Sequence, residues 1–106
     1  MIRAKFRVGE QGLITGFCVS GHSGSAESGE DIICAAVSSP VYMTANTLTE
    51  ILSLSPEITE KDGYFRLTLS NEEAEKASDI LQGFFLHLQA LSEQYPDFIQ
   101  VERGAL

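Results

Sequence analysis

Apolar and polar residues alternate from Ile2 to Val8. Ile2, Ala4, Phe6 and Val8 take one side of an extended chain and Arg3, Lys5 and Arg7 the other, the pattern of a half-buried strand. Gly9-Glu10-Gln11-Gly12 reads as a turn, and Leu13–Ser20 as the return strand of a hairpin. In that strand Ile14, Gly16, Cys18 and Ser20 share one side while Leu13, Thr15, Phe17 and Val19 share the other, and Cys18 is assigned to the core. From about Ile33 to Leu54 the period changes to that of a helix, with Val37, Val41, Ala45, Leu48 and Leu52 on one face, and Ser55-Pro56 stops it. Glu57–Lys61 and Tyr64–Leu69 flank Asp62-Gly63, a type I′ hairpin signal. Ser70 and Glu73 have capping-box spacing, so a second helix starts at Asn71 and runs to about Gln94, burying Ala74, Ala77, Leu81, Phe84, Phe85, Leu88 and Leu91. Tyr95-Pro96 ends it, and Phe98–Val101 adds a short strand. The expected fold is α+β: a mostly antiparallel sheet with two helices packed on one face, in the order β-β-α-β-β-α-β.

With 106 residues and 43% hydrophobic residues, the chain suits one globular domain over 1–106 with a core of modest size. Fifteen acids against seven Lys and Arg leave a formal charge of −8, which disfavours direct nucleic-acid binding and suits a basic partner. The alternating N-terminus lacks the apolar stretch of a secretion signal, and no segment is long enough to span a bilayer. The expected location is the cytoplasm, where Cys18 and Cys34 remain free thiols.

The chemistry concentrates between Gly21 and Ser38. His22 sits where the second strand should end, and Cys34 opens the first helix. Between them runs a stretch rich in Gly, Ser and acid that buries too little apolar surface to order itself. It is expected to form a mobile loop carrying Gly21, Gly24 and Gly29. Asp31 is placed as N-cap, which puts Cys34 in the first turn, where unpaired amides and the helix dipole favour a thiolate. A nearby His22 would take the thiol proton. The carboxylates of Glu30 and Asp31 would oppose that charge if turned toward the sulfur.

Gly21-His22, a Gly- and Ser-containing loop, and Gly29-x-Asp31-Ile-Ile-Cys34-Ala-Ala-Val-Ser38 together resemble the signature of Prp, the bacterial ribosomal-processing cysteine protease family, and the resemblance extends over the whole chain. It implies Cys34 as nucleophile, His22 as general base, and supporting roles for Asp31 and Ser38. It also implies a peptide substrate: the N-terminal extension of large-subunit ribosomal protein twenty-seven, cut after an aromatic residue in a hydrophobic stretch. A homodimer is implied as well; no cofactor is expected. The amides of Cys34 or Ala35, at the expected helix start, are candidate oxyanion donors, and residues 23–30 a lid. Pro40, six residues after Cys34, departs from the pattern and predicts a kinked helix or a distorted first turn.

Other readings are weaker. His22, Cys34, Cys18 and His87 lack the close paired spacings of a zinc site, so no metal is expected. The Gly-rich loop has no Lys and contains Glu27, Glu30 and Asp31, unlike a phosphate cradle. Asp31 serves more simply as a helix cap than as a third catalytic group, and Phe84-Phe85 more simply as core than as a partner contact. Two rivals from other classes are a non-catalytic ribosome-associated or assembly module that binds a basic ribosomal protein, and a redox sensor that bridges Cys18 and Cys34.

Overall fold

The computed structural model describes residues 1–21 and 27–104, with the backbone alone at 27–31. β1 (Ile2–Val8) and β2 (Ile14–Ser20) form the antiparallel hairpin that alternation predicts. β3 (Glu57–Lys61) and β4 (Tyr64–Thr68) form the second, and β4 pairs with β2. β5 (Ile99–Gly104) joins β1 in parallel, which gives one sheet in the order β3-β4-β2-β1-β5. The expected α+β architecture is the one observed.

The helices lie on one face. α1 (Glu27–Asn46) sends Ile33, Val37, Val41 and Ala45 into the core. A π-helical turn, Thr47–Ile51, extends it, with the Leu52 amide donating to the Thr47 carbonyl (2.9 Å); this turn buries Leu48 but leaves Leu52 exposed. Pro40 lies inside α1 without ending it. The helix expected over 71–94 is two: α2 (Asn71–Lys76) and α3 (Ser78–Gln94), broken at buried Ala77, whose φ and ψ of −98° and 5° leave the helical region.

The Ser70–Glu73 capping box forms, and the Glu73 carboxylate also accepts from the Ser55 amide (3.0 Å), tying the loop before β3 to α2. Amide hydrogen bonds from Ser70 and then Ser55 hold the Glu73 carboxyl below its ordinary range. A depressed carboxyl contributes stability above its unfolded value, and that contribution is lost as pH falls through the folded value.

Two details of the hairpins differ from expectation. In the β3–β4 turn only Gly63 takes a positive φ (69°), so the two left-handed residues of a type I′ turn are not present. In the first hairpin, Arg7 pairs with Gly16 but Val8 with Ile14, a bulge that leaves Thr15 over. The extra residue lets Ile14 and Phe17 both point to the core. Cys18 consequently faces the other way, half-buried and paired with Lys5 and Arg66 on the outer side of the sheet, rather than in the core as its sequence position suggested. The sheet thus separates Cys18 from Cys34, which packs against the helix-side core, and both are free thiols.

The centre of the core is aromatic. Phe6 on β1 meets Phe85 edge to face (5.0 Å) and Phe84 tilted (5.4 Å). Phe17 meets Phe84 (4.8 Å) and stacks on Phe65 (5.9 Å). Arg103 lies over Phe85 and donates to the Gly12 carbonyl (3.3 Å), fastening β5 to the β1–β2 turn.

Candidate active site

Helix periodicity puts Cys34, Ser38 and Tyr42 on one stripe of α1, each four residues from the next. The stripe faces the end of the sheet where β2 finishes and the β3–β4 hairpin turns. A cleft opens between them, lined by Cys34, Ser38 and Tyr42 from α1, Glu60, Lys61 and Tyr64 from the hairpin, and Gly21 from the end of β2. Its floor is apolar, from Ile2, Val19, Val37, Val41 and Phe65.

Gly21 is a fixed point rather than part of a loose loop. Its φ is +93°, its amide donates to the Gly63 carbonyl (2.9 Å), and a Cβ there would stand 2.4 Å from the Met1 carbonyl oxygen. Only glycine suits both the dihedral angle and the space. Chain direction is therefore set at the residue before His22. His22 itself and Gly24 lie outside the described residues, as does the Asp31 side chain.

The start of α1 corrects several expectations. Because the helix begins at Glu27, Gly29 belongs to it rather than to a loop or lid, and Asp31 stands inside the helix rather than at its N-cap. Cys34 falls two turns in, beyond the reach of a dipole effect confined to the first turn. The amides of Cys34 and Ala35 are in the helix interior, where the ladder uses them, so they are poor oxyanion donors. The half-buried sulfur still lines the cleft. Ser38 is adjacent, its hydroxyl donating back to the Cys34 carbonyl (2.8 Å).

Tyr42 and Glu60 have no counterpart in the sequence reading. The Tyr42 hydroxyl donates to a Glu60 carboxylate oxygen across the cleft, and its ring sits edge-on to Phe65 (5.8 Å). The hydrogen bond to Glu60, then burial and the Glu60 charge, push the phenol above its ordinary value. The Cys34–Ser38–Tyr42 spacing was a usable signal for Tyr42; Glu60 reaches the site only through the hairpin. His87 is exposed on α3, away from this cleft, and among the described residues no His, Cys, Asp and Glu gather into a group able to hold a metal.

Residues 1–100 match the family model of cysteine protease Prp. The chain belongs to the Prp family. The ribosomal processing cysteine protease Prp of Bacillus subtilis (strain 168) is 30% identical, the match covering 95% of this chain and 96% of that protein. The Prp of Staphylococcus aureus (strain NCTC 8325) is 29% identical, over 95% and 97%. Among solved structures, an essential ribosomal processing protease Prp from S. aureus with a covalently linked product peptide superposes with a TM-score of 0.87 at 28% identity, covering 97% of this chain and 99% of that one. The same protease with a substrate peptide gives 0.85. SMU.848 from Streptococcus mutans gives 0.81 at 32% identity, covering 100% of this chain and 96% of its own. The family is thus one of cysteine proteases, and the two S. aureus Prp structures hold peptides.

Proposed function

We propose that this Prp family member is a cysteine endopeptidase with a Cys34–His22 dyad, removing the N-terminal extension of large-subunit ribosomal protein twenty-seven during ribosome assembly in the cytoplasm. The observation that carries this reading is that Cys34 and Gly21 line one cleft, and Gly21 is bonded directly to His22. With the helix dipole out of reach, activation of the sulfur falls to the imidazole. His22 takes the thiol proton, and the thiolate attacks the scissile carbonyl. The C–N bond breaks as His22 returns the proton to the departing amine. Water then attacks the thioester, releasing the new C-terminus and restoring the thiol. Ser38 supports the helix turn that carries the nucleophile, through its bond to the Cys34 carbonyl. The apolar floor suits an aromatic or aliphatic residue ahead of the cut. β3, an edge strand exposed along its length, offers unpaired backbone for an extended peptide.

Thiol labelling at neutral pH tests the dyad. Iodoacetamide should alkylate Cys34 about tenfold faster than Cys18, and His22→Ala should erase the difference. Equal rates in the unmodified protein would refute the dyad and favour a non-catalytic binding module. A redox sensor bridging the two thiols is disfavoured by the sheet between them.

The homodimer belongs to the same proposal. Met43 on α1 and Leu86 on α3 are exposed apolar side chains on the helix layer, whereas Phe84 and Phe85 are buried within the core and unavailable to a partner. Sedimentation equilibrium should read twice the chain mass, and a monomer at micromolar concentration would refute it. Among the described residues no helix is long and apolar enough to cross a membrane.

A further inference from the structure

The side of the sheet away from the helices carries a charge opposite to that of the whole chain. Alternation along β1 turns Arg3, Lys5 and Arg7 outward, all exposed. Register carries the pattern across the sheet: Lys5 pairs with Cys18 and Cys18 with Arg66, while Arg3 pairs with Ser20, Ser20 with Tyr64 and Tyr64 with Lys61. Five of the seven Lys and Arg therefore share one face, against Glu57 and Glu102 as the acids on it. The small residues Gly16, Cys18 and Ser20 of β2 leave a trough between the longer side chains of β1 and β4. Lys5, Arg7, Cys18, Tyr64, Arg66 and Thr68 line it.

We propose that this outer sheet face is a binding surface for single-stranded RNA, held through its phosphates. The net charge of −8 argues against nucleic acid for the molecule as a whole, yet the strands segregate charge so that an anionic polymer meets a locally cationic surface. A second copy placed face to face would set these cations against one another. Along β1 the cations recur at about 6.8 Å, two strand rises, a regular pitch suited to a repeating phosphate chain. Arg3, Arg7 and Arg66 bring guanidinium forks that match phosphate oxygens. The ring of Tyr64, on the same face, gives a base something to stack on, which an acidic protein would not need. Tyr64 and Lys61 also line the Cys34 cleft, so RNA on this face would lie beside the mouth of the candidate active site. RNA binding and peptide cleavage are separable: the first needs no Cys34 and the second no RNA.

The test is fluorescence anisotropy of the full chain with a labelled uridine homopolymer of about twenty nucleotides. Binding is expected at about 50 mM salt, weakening toward about 200 mM with a log–log slope near −3, as four or five neutralised phosphates give. Combined Arg3→Gln, Lys5→Gln and Arg66→Gln should lower affinity by about tenfold or more and flatten the slope by about 2. Arg66→Gln alone should lower it about threefold, and Lys76→Gln, off this face, should leave it unchanged. Peptide cleavage by the triple variant in the absence of RNA should stay at the native rate. No binding at low salt would overturn the proposal, as would native binding by the triple variant. Equal binding of polyglutamate would overturn it in favour of an acidic protein partner.

Discussion

Replacing Cys34 with alanine should lower cleavage of a peptide spanning the extension junction by about 10⁴-fold or more while leaving the fold in place. The effect is large because, in the proposed mechanism, the sulfur is the bond-forming atom. The neighbouring Ser38 and Tyr42 hydroxyls are already engaged, one donating to the carbonyl of residue 34 and the other to Glu60. The structural cost should be small: Cys34 is half-buried, alanine is the best helix former, and the lost sulfur contact is worth about 1 kcal/mol. Chromatography of the peptide products, paired with a thermal melt of the variant, separates loss of chemistry from loss of structure. A folded variant that cuts at the native rate would remove Cys34 from the mechanism.

Phe6→Ala should destabilise the protein by about 3–5 kcal/mol, a large fraction of the roughly 5–15 kcal/mol that holds a domain of this size. Phe6 is 1% exposed and contacts the rings of Phe17, Phe84 and Phe85. Truncation leaves a cavity between β1 and α3 that neighbouring rings cannot all collapse to fill. Lys5→Ala, one residue away on the outer face, should change stability by less than about 0.5 kcal/mol. Guanidinium denaturation should show the Phe6 variant's midpoint falling with little change in slope. A loss under about 1 kcal/mol would mean that the core is looser than its contacts indicate. The aromatic chain runs from Phe6 through Phe17 and Phe65 to Tyr42, so loosening its centre should also disturb the cleft wall.

The family signature around Cys34 was legible because it consists of residue types at short separations. The cleft around it was not. Glu60 comes from a hairpin distant in the chain, and Gly21 matters for a left-handed φ and a close approach to Met1, neither of which a one-dimensional pattern reveals. The expected helix start failed for a local reason: Glu27-Ser-Gly-Glu-Asp31 reads as loop by composition, yet continues the helix that Ile33, Val37 and Val41 anchor to the sheet. Tertiary packing outweighs weak propensity over a single turn.

Alternation in β1, the capping box at Ser70 and the helical period of α3 are written in the sequence, since each depends on side chains a few residues apart. Which way Cys18 faces was decided only in three dimensions, because one bulged residue at Thr15 reverses the side on which each following residue lies. Charge shows the same division. Composition determines the total of −8 and alternation sets Arg3, Lys5 and Arg7 on one side of β1, but only strand register brings Arg66 and Lys61 onto the same surface, because neighbours across a sheet are unrelated by distance along the chain.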